Sequence, residues 1–501
     1  MNHFSMKQNL SLALAACIFL ALPPAAPAAK KDASSEKHAP VVRVNATNQA
    51  YDFFHPWTKR APVSRRGLGA VLEGQRVLVT AELVANSNYV EFEKAEGGEK
   101  VSATVEVVDY EANLAILKTA DEKFLDGIKP LAVGHAAVDD RISFLQLEPT
   151  GELLTTSGLL TNIEVSRYPI DDTSLLTYRL TASLQYRESS FTIPAVKDGK
   201  LVGLLMRYDN RSQNVDLIPA PVIEHFLKAA ANKEYRGFPR GGASVTAMRD
   251  PQLRRYAGLK NGETGGVYVT DVQRGSPAAK AGIQTGDVIL AIGGNAIDQD
   301  GNYTDPQHGK ISLAHLITTK SFDGDILKFK IFRKGETLDL PVTLANRPAQ
   351  DCVIEPYVVD RAPKYYVLGG LVMQELSRQY LKEWGQEWYK KAPQRFIYMD
   401  RYQSELFQDD RKKIVVLTQV LPSPATIGYE ELSYLVVTKI NGVAINGLAD
   451  VATAVKQPSD GFHRIEFSEN PKVIYLDAKE IEAGDAALMQ NYGLPAIKRL
   501  E

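Results

Sequence analysis

From Val41 to about Asn232 the chain falls into many short runs of alternating apolar and polar residues, divided by polar or glycine turns. Gly69 to Ala85, Val101 to Val108, Leu114 to Leu117, Ile142 to Leu147 and Leu201 to Met206 are examples. A period of two at this spacing, with little helical patterning, predicts antiparallel β-barrels or sandwiches. One helix is expected at Pro221 to Asn232, where Val222, Phe226 and Ala230 recur at helical spacing. From Gly237 to about Leu344 the pattern changes. Gly275-Ser-Pro-Ala-Ala-Lys-Ala-Gly282 reads as a helical turn of small residues, and a tight Gly286-Asp287 turn then launches the apolar strand Val288 to Ile292. From Val353 to Glu501 a weaker copy follows. Gly369-Gly370-Leu371-Val372 heads a strand, Ser377 to Lys391 is a polar helical stretch, and strands Ile414 to Leu421 and Leu435 to Ile440 precede an Asn441-Gly442 turn. The two segments form a loose internal repeat.

A length of 501 residues exceeds one hydrophobic core and predicts two to four domains. Apolar residues at 44% and charged residues at 24% are ordinary for a globular chain. The net charge of −2 gives no pull toward nucleic acid or anionic lipid, so no nucleic-acid partner is expected. Lys7, the apolar run Leu10 to Leu22 and the Ala26-Pro27-Ala28 site together predict an export signal cut after Ala28. The run is too short for a transmembrane anchor. A competing Leu14-Ala15-Ala16-Cys17 string would instead lipidate Cys17. The expected location is therefore the periplasm or the extracellular space, with lipoprotein anchoring at Cys17 as the alternative. Cys352 is the other cysteine, so no internal disulfide framework is expected.

The Gly275 to Ile292 string resembles a PDZ domain. Several further segments resemble the Deg/HtrA serine proteases: Gly67-x-Gly69-Ala-Val, Arg76-Val-Leu-Val-Thr-Ala, Asn113-Leu-Ala-Ile-Leu, Pro219 to Leu227, Gly237-Phe-Pro, and Val415 to Leu421 with Ile427-Gly-Tyr-Glu430. The likeness is strongest to the plant-type subgroup with a divergent second PDZ domain. It implies a mainly β fold, a trypsin-like double antiparallel β-barrel followed by two PDZ-like α+β domains. The corresponding segments are a signal peptide at 1–28, a leader with an aromatic segment at 29–60, and a protease-homology domain at 61–235. A first PDZ domain at 236–346 and a divergent second one with a helical insertion at 347–501 complete the chain.

The resemblance also locates three catalytic positions. A serine nucleophile needs an imidazole to move its proton and a carboxylate to orient that imidazole. The family's T-N-A-H-V-V string reads Val79-Thr-Ala-Glu82-Leu-Val, its D-L-A-L-L string starts at Asn113, and its G-N-S-G-G-P string reads Ser189-Ser190-Phe191-Thr-Ile-Pro194. Glu82, Asn113 and Phe191 thus stand where histidine, aspartate and serine would. A glutamate is a poor proton donor at neutral pH. Ser190 and Ser189 lie beside the nucleophile's place without occupying it. These substitutions predict that the chain is not an enzyme but a catalytically inactive, adaptor-, scaffold- or chaperone-like pseudoprotease that binds peptides, with an active paralogue as a possible partner. Two alternatives stay open: a serine-type endopeptidase or other hydrolase rebuilt around Glu82 or Ser190, and a ligand or metal binder using the cleft between the barrels.

No cofactor is expected. The eight histidines show no H-x-x-x-H or H-E-x-x-H spacing, and Asp298 to Asp305 has a calcium-loop composition without the EF-hand ligand order. PDZ domains bind protein C-termini by strand addition, with a loop holding the terminal carboxylate. The candidates here are Arg240, Gly241, Gly242 and Ala243 in the first module and Gly369, Gly370, Leu371 and Val372 in the second. Arg240 would add a charge contact. The alternative is two modules that pack only against their own protease-like domain or a sister subunit. The aromatic segment Tyr51 to Trp57 is expected either to join subunits, as in the trimers the resemblance implies, or to strap onto its own barrel.

Overall fold

The structure is a computed structural model that describes residues 39–95, 97–121, 123–148, 150, 152–170, 173–184, 192–260, 264–406 and 411–501. The expected signal segment with Cys17 lies outside the described residues, as do Ser189, Ser190 and Phe191.

Period-two alternation becomes two closed barrels. The first contains β1 (Val41–Asn48), β2 (Val63–Leu72), β3 (Arg76–Val79), β4 (Ser87–Glu93), β5 (Lys100–Asp109) and β6 (Leu114–Thr119), in the order β1-β2-β3-β6-β5-β4. The second contains β7 (Arg141–Leu147), β8 (Leu153–Arg167), β9 (Ser174–Thr181), β10 (Pro194–Lys197), β11 (Lys200–Asp209) and β12 (Asn214–Pro219), in the order β10-β11-β12-β9-β8-β7. Closure leaves neither barrel with an open edge, and inward residues such as Val44, Val77, Leu117, Phe144, Leu180 and Leu217 are fully buried. Gly69 to Ala85 is not one strand. Gln75 turns at φ 58, and after Val79 the chain coils into the single turn α1 (Ala81–Val84). The predicted helix at Pro221 forms as α2 (Ala220–Ala230), with Val222, Ile223 and Phe226 turned inward.

The first repeat unit is a sheet of β13 (Ala243–Ala247), β14 (Val267–Val272), β15 (Val288–Ile292), β16 (Asn295–Ala296), β19 (Ile326–Arg333) and β20 (Glu336–Thr343). A hairpin of β17 (Asn302–Asp305) and β18 (Gly309–Ser312) accompanies it, together with the short helices α3 (Pro251–Tyr256), α4 (Pro277–Lys280) and α5 (Ala314–Ile317). The sequence string explains its own shape. The Ser276 side chain caps α4 by accepting the Ala279 N–H, Pro277 opens the helix, and Gly282 leaves it at φ +83. Buried Asp287 then holds the turn by accepting the Gln284 N–H at 2.8 Å and pairing with Arg333 at 2.6 Å.

In the second unit β21 (Tyr365–Leu368), β22 (Leu371–Glu375), β23 (Val415–Val420), β24 (Leu435–Ile440), β25 (Val443–Ala444), β26 (Phe462–Phe467), β27 (Val473–Asp477) and β28 (Lys498–Arg499) share one sheet. The stretch Ser377 to Lys391 is not one helix. Gly385, at φ +89, separates α6 (Arg378–Leu381) from α7 (Trp388–Lys391), and α8 (Gln394–Arg401) and α9 (Gln403–Leu406) follow. Beyond the sheet centre come α10 (Leu448–Ala454) and α11 (Ala478–Tyr492).

The aromatic segment packs on the second unit rather than on its own barrel. Phe53 is 4% exposed in a cluster with Ile354, Tyr380, Phe396 and Val416. Phe54 stands edge-on to Trp384 at 5.0 Å, and Trp57 meets Tyr365 at 5.8 Å. Gln374 donates to the Phe53 carbonyl at 3.0 Å, Gln419 to that of Phe54 at 2.5 Å, and Arg499 to that of Pro56 at 3.1 Å. One buried ring, two half-buried rings and three satisfied carbonyls hold the segment on the second unit. Among the described residues, no helix is long and apolar enough to cross a membrane.

Candidate functional site

Two of the three catalytic positions are brought together. Asn113 sits just before β6 at φ 54, a left-handed conformation that asparagine tolerates better than most residues. From there its Oδ1 accepts the Glu82 N–H at 3.0 Å, its Nδ2 donates to Glu82 Oε2 at 3.2 Å, and its carbonyl accepts the Ala81 N–H at 3.1 Å. Arg65 on β2 donates to the Glu82 carbonyl. Burial pushes the Glu82 carboxyl above its ordinary value, while the Asn113 bond and the charges of Arg65 and Arg207 pull it partly back. A half-buried carboxylate raised in this way and held on both sides can accept a proton more readily than one in water.

A further contact between the barrels was not foreseen. Fully buried Thr192 bridges the barrels: its Oγ1 accepts the Thr80 N–H at 3.0 Å and meets Thr80 Oγ1 at 2.7 Å. Its carbonyl accepts the Leu68 N–H at 2.9 Å. Gly67 makes room for it, because a Cβ there would lie 3.1 Å from the Thr192 nitrogen. The Thr192-Ile-Pro194 string held the signal, but only as a departure from a glycine pattern.

The first-module candidates line a groove of about 590 Å³. Gly241, Gly242 and Ala243 form one end. Leu313, Ala314 and Ile317 of the α5 region form the facing wall, and Ile289 and Phe329 lie at its base. The β13 strand along it is the terminal strand of its sheet, with β14 as its neighbour. Gly242 is required as glycine: its φ is +80, and a Cβ would fall 2.2 Å from Ser276 Cβ. Arg240 lines the mouth of the groove beside Thr173, with its charge already paired. Its guanidinium binds Glu111 Oε1 at 2.9 Å and Thr173 Oγ1 at 2.8 Å, tying the loop to the second barrel and to the segment ahead of Asn113.

In the second module Gly369 and Gly370 close a two-residue hairpin between Leu368 and Leu371, at φ 60 and 120. Leu371 and Val372 are buried, and β22 is hydrogen-bonded to β21 on one edge and β23 on the other. A strand with both edges paired has no backbone left to offer an added strand. The acidic 298–305 loop is met by cations: Lys310 lies 2.7 Å from Asp298, Arg249 pairs with Asp300, and Lys320 lies 2.5 Å from Asp305. Among the described residues no group of three or more histidine, cysteine or acidic side chains is arranged to hold a metal ion.

Double barrel, cleft and groove define a trypsin-like domain followed by two PDZ modules. PDZ-domain family models match residues 242–344 and 354–498. The chain is 28% identical over 467 residues to "Protease Do-like 2, chloroplastic" of Arabidopsis thaliana, covering 91% of this chain and 74% of the relative. It is 25% identical to "Protease Do-like 4, mitochondrial" of the same plant, covering 91% and 84%. Over a shorter stretch, 18% of this chain and 16% of the relative, it is 34% identical to "Probable periplasmic serine endoprotease DegP-like" of Chlamydia trachomatis. A solved structure of the "HtrA-type protease AlgW with decapeptide" aligns at 18% identity and TM-score 0.47, covering 63% of this chain and 97% of that one. The two PDZ matches and the Do-like relatives support a likeness to the Deg/HtrA family along most of the chain. These findings overturn the expectation that it is not an enzyme: relatives matched along 91% of it are named proteases, pointing to a serine protease. Both barrels remain, and Glu82 stays paired with Asn113.

Proposed function

We propose that this chain is an envelope member of the Deg/HtrA family that captures extended peptides or protein C-termini in the groove of its first PDZ module. One observation carries the reading: the terminal strand β13 runs along an apolar groove headed by Gly241 and Gly242. Main-chain bonds to such a strand supply affinity, and the apolar wall at Leu313 and Ile317 selects the side chain. The second module is left out because β22 is paired on both edges. Export rests on the Lys7 to Ala28 segment. Association with further copies or a paralogue would use surfaces other than the aromatic segment. Fluorescence anisotropy with a labelled peptide ending in a free apolar residue tests the groove. Gly242→Trp and the milder Ala314→Trp should each weaken binding about tenfold or more, and C-terminal amidation should do the same. Equal binding by both variants would discard the groove.

A second reading is peptide hydrolysis with Glu82 as base, supported by its burial-raised carboxyl and by relatives named proteases. Cleavage of a quenched peptide should fall about 100-fold or more in Glu82→Gln. It should also fall in Ser190→Ala if that hydroxyl attacks. Wild-type protein that cleaves nothing would sink this reading and leave peptide capture untouched.

A further inference from the structure

Of the eight histidines in the sequence, His3 and His38 lie outside the described residues, and four of the other six gather where the barrels meet the first PDZ module. His225 projects from α2 and is 3% exposed. Its ring is stacked between Phe238 of the connecting segment, at 4.2 Å, and Phe322 of the module, at 4.1 Å. The two planes lie within 19° and 7° of the imidazole, so the three rings form one column across the boundary. His225 Nδ1 bonds the Thr319 carbonyl at 3.0 Å, while its buried Nε2 has no hydrogen-bond partner among the described residues. Nearby, β18 lies against β8 and α5 against β9. There His308 and His315 stand with ring centres 5.5 Å apart, and His315 Nδ1 shares a 2.7 Å bond with Tyr303. His135 on the barrel side pairs with Glu224 of α2 at 3.5 Å.

A neutral imidazole suits this column. Adding a proton would place an N–H at Nε2 in a slot between two phenyl faces with no acceptor, and buried unsatisfied donors are costly. The charged groups around His225 are Lys228 on its own helix and Asp325 on the module. The Lys228 ammonium lies over Phe322 at 4.7 Å and opposes a second cation, whereas Asp325 favours one. Around the His308–His315 pair stand Asp305, Lys320 and His135. Asp305 already holds Lys320 and accepts the Gln307 and His308 N–H groups, so it has little capacity to compensate two new charges.

We propose that this boundary is an acid-sensitive latch, in which proton uptake by His225, reinforced at His308 and His315, releases the 318–325 loop of the first PDZ module from helix α2. Burial, opposed by the Thr319 bond, pushes the His225 ring down to about 4, and burial pushes His315 to about 4 as well. A ring that titrates lower in the closed boundary than in water binds more protons when the boundary opens. Closure is therefore fully favoured above about pH 6.5 and is lost progressively as pH falls toward 4. Opening would carry the groove wall away from Thr173 and Ser174, residues of the barrel side that line its mouth.

Hydrogen exchange of the full chain between pH 7.5 and 5, corrected for the intrinsic pH dependence of exchange, tests the latch. Protection at 236–240 and 318–325 should fall about tenfold or more in wild type, with protection in β11 and β12 retained. His225→Phe keeps the column without a titrating ring and should lose most of that response. His225→Gln, which retains an N–H for the Thr319 carbonyl, serves the same purpose should the phenylalanine variant fail to melt cooperatively. Flat wild-type protection across this range, or an undiminished response in a folded variant, would overturn the latch.

Discussion

Thr192 shows how one side chain can hold two barrels in register. Its hydroxyl, fully buried, is the acceptor for the Thr80 N–H and the partner of the Thr80 hydroxyl. Thr192→Val keeps the volume and removes both bonds, so it should cost about 1–3 kcal/mol, read as a lower urea midpoint at unchanged slope. At this scale the sequence was only partly legible. The positions of Glu82 and Asn113 followed from their strings, and the structure does pair them at 3.0 and 3.2 Å. Arg240 was legible as a charge beside the groove but not as one already paired with Glu111. Its orientation depends on Glu111 and Thr173, which are 129 and 67 positions distant, and no local pattern records such partners.

Among elements, the closed barrels and the first module were the most readable, since period-two alternation and the Ser276, Gly282 and Gly286 punctuation act locally. The Gly369-Gly370 pair was read as a carboxylate loop because two glycines serve a hairpin equally well. What decides is the strand on the far side, and the sequence does not say that β21 will pair there. The helical insertion was likewise read as one piece, although Gly385 divides it. The aromatic segment is held as an element through Phe53. Phe53→Ala would leave a cavity among Ile354, Tyr380 and Phe396 and should cost about 3–5 kcal/mol. Hydrogen exchange should show the loss in β22, β23 and α6, with β7 to β12 unaffected.

For the molecule as a whole, length and turn spacing were enough to foresee several domains, but not what joins them. Besides their ring contacts, the junctions hold polar pairs: Glu111 with Arg240, Tyr235 with Asp109, and Tyr110 with Asp360. All three lead to the segment from Asp109 to Asn113, so the linkers and both PDZ modules bear on one short stretch of the first barrel. The aromatic segment adds a closure of another kind. Pro56 accepts from Arg499, a pairing that spans 443 positions. A contact of that span cannot form until nearly all the intervening chain has been made. Tyr51 to Trp57 must therefore wait while barrels and first module condense around local contacts, and dock only at the end. The segment made early is among the last to settle, and until it does, four large aromatic side chains stand open to other partners.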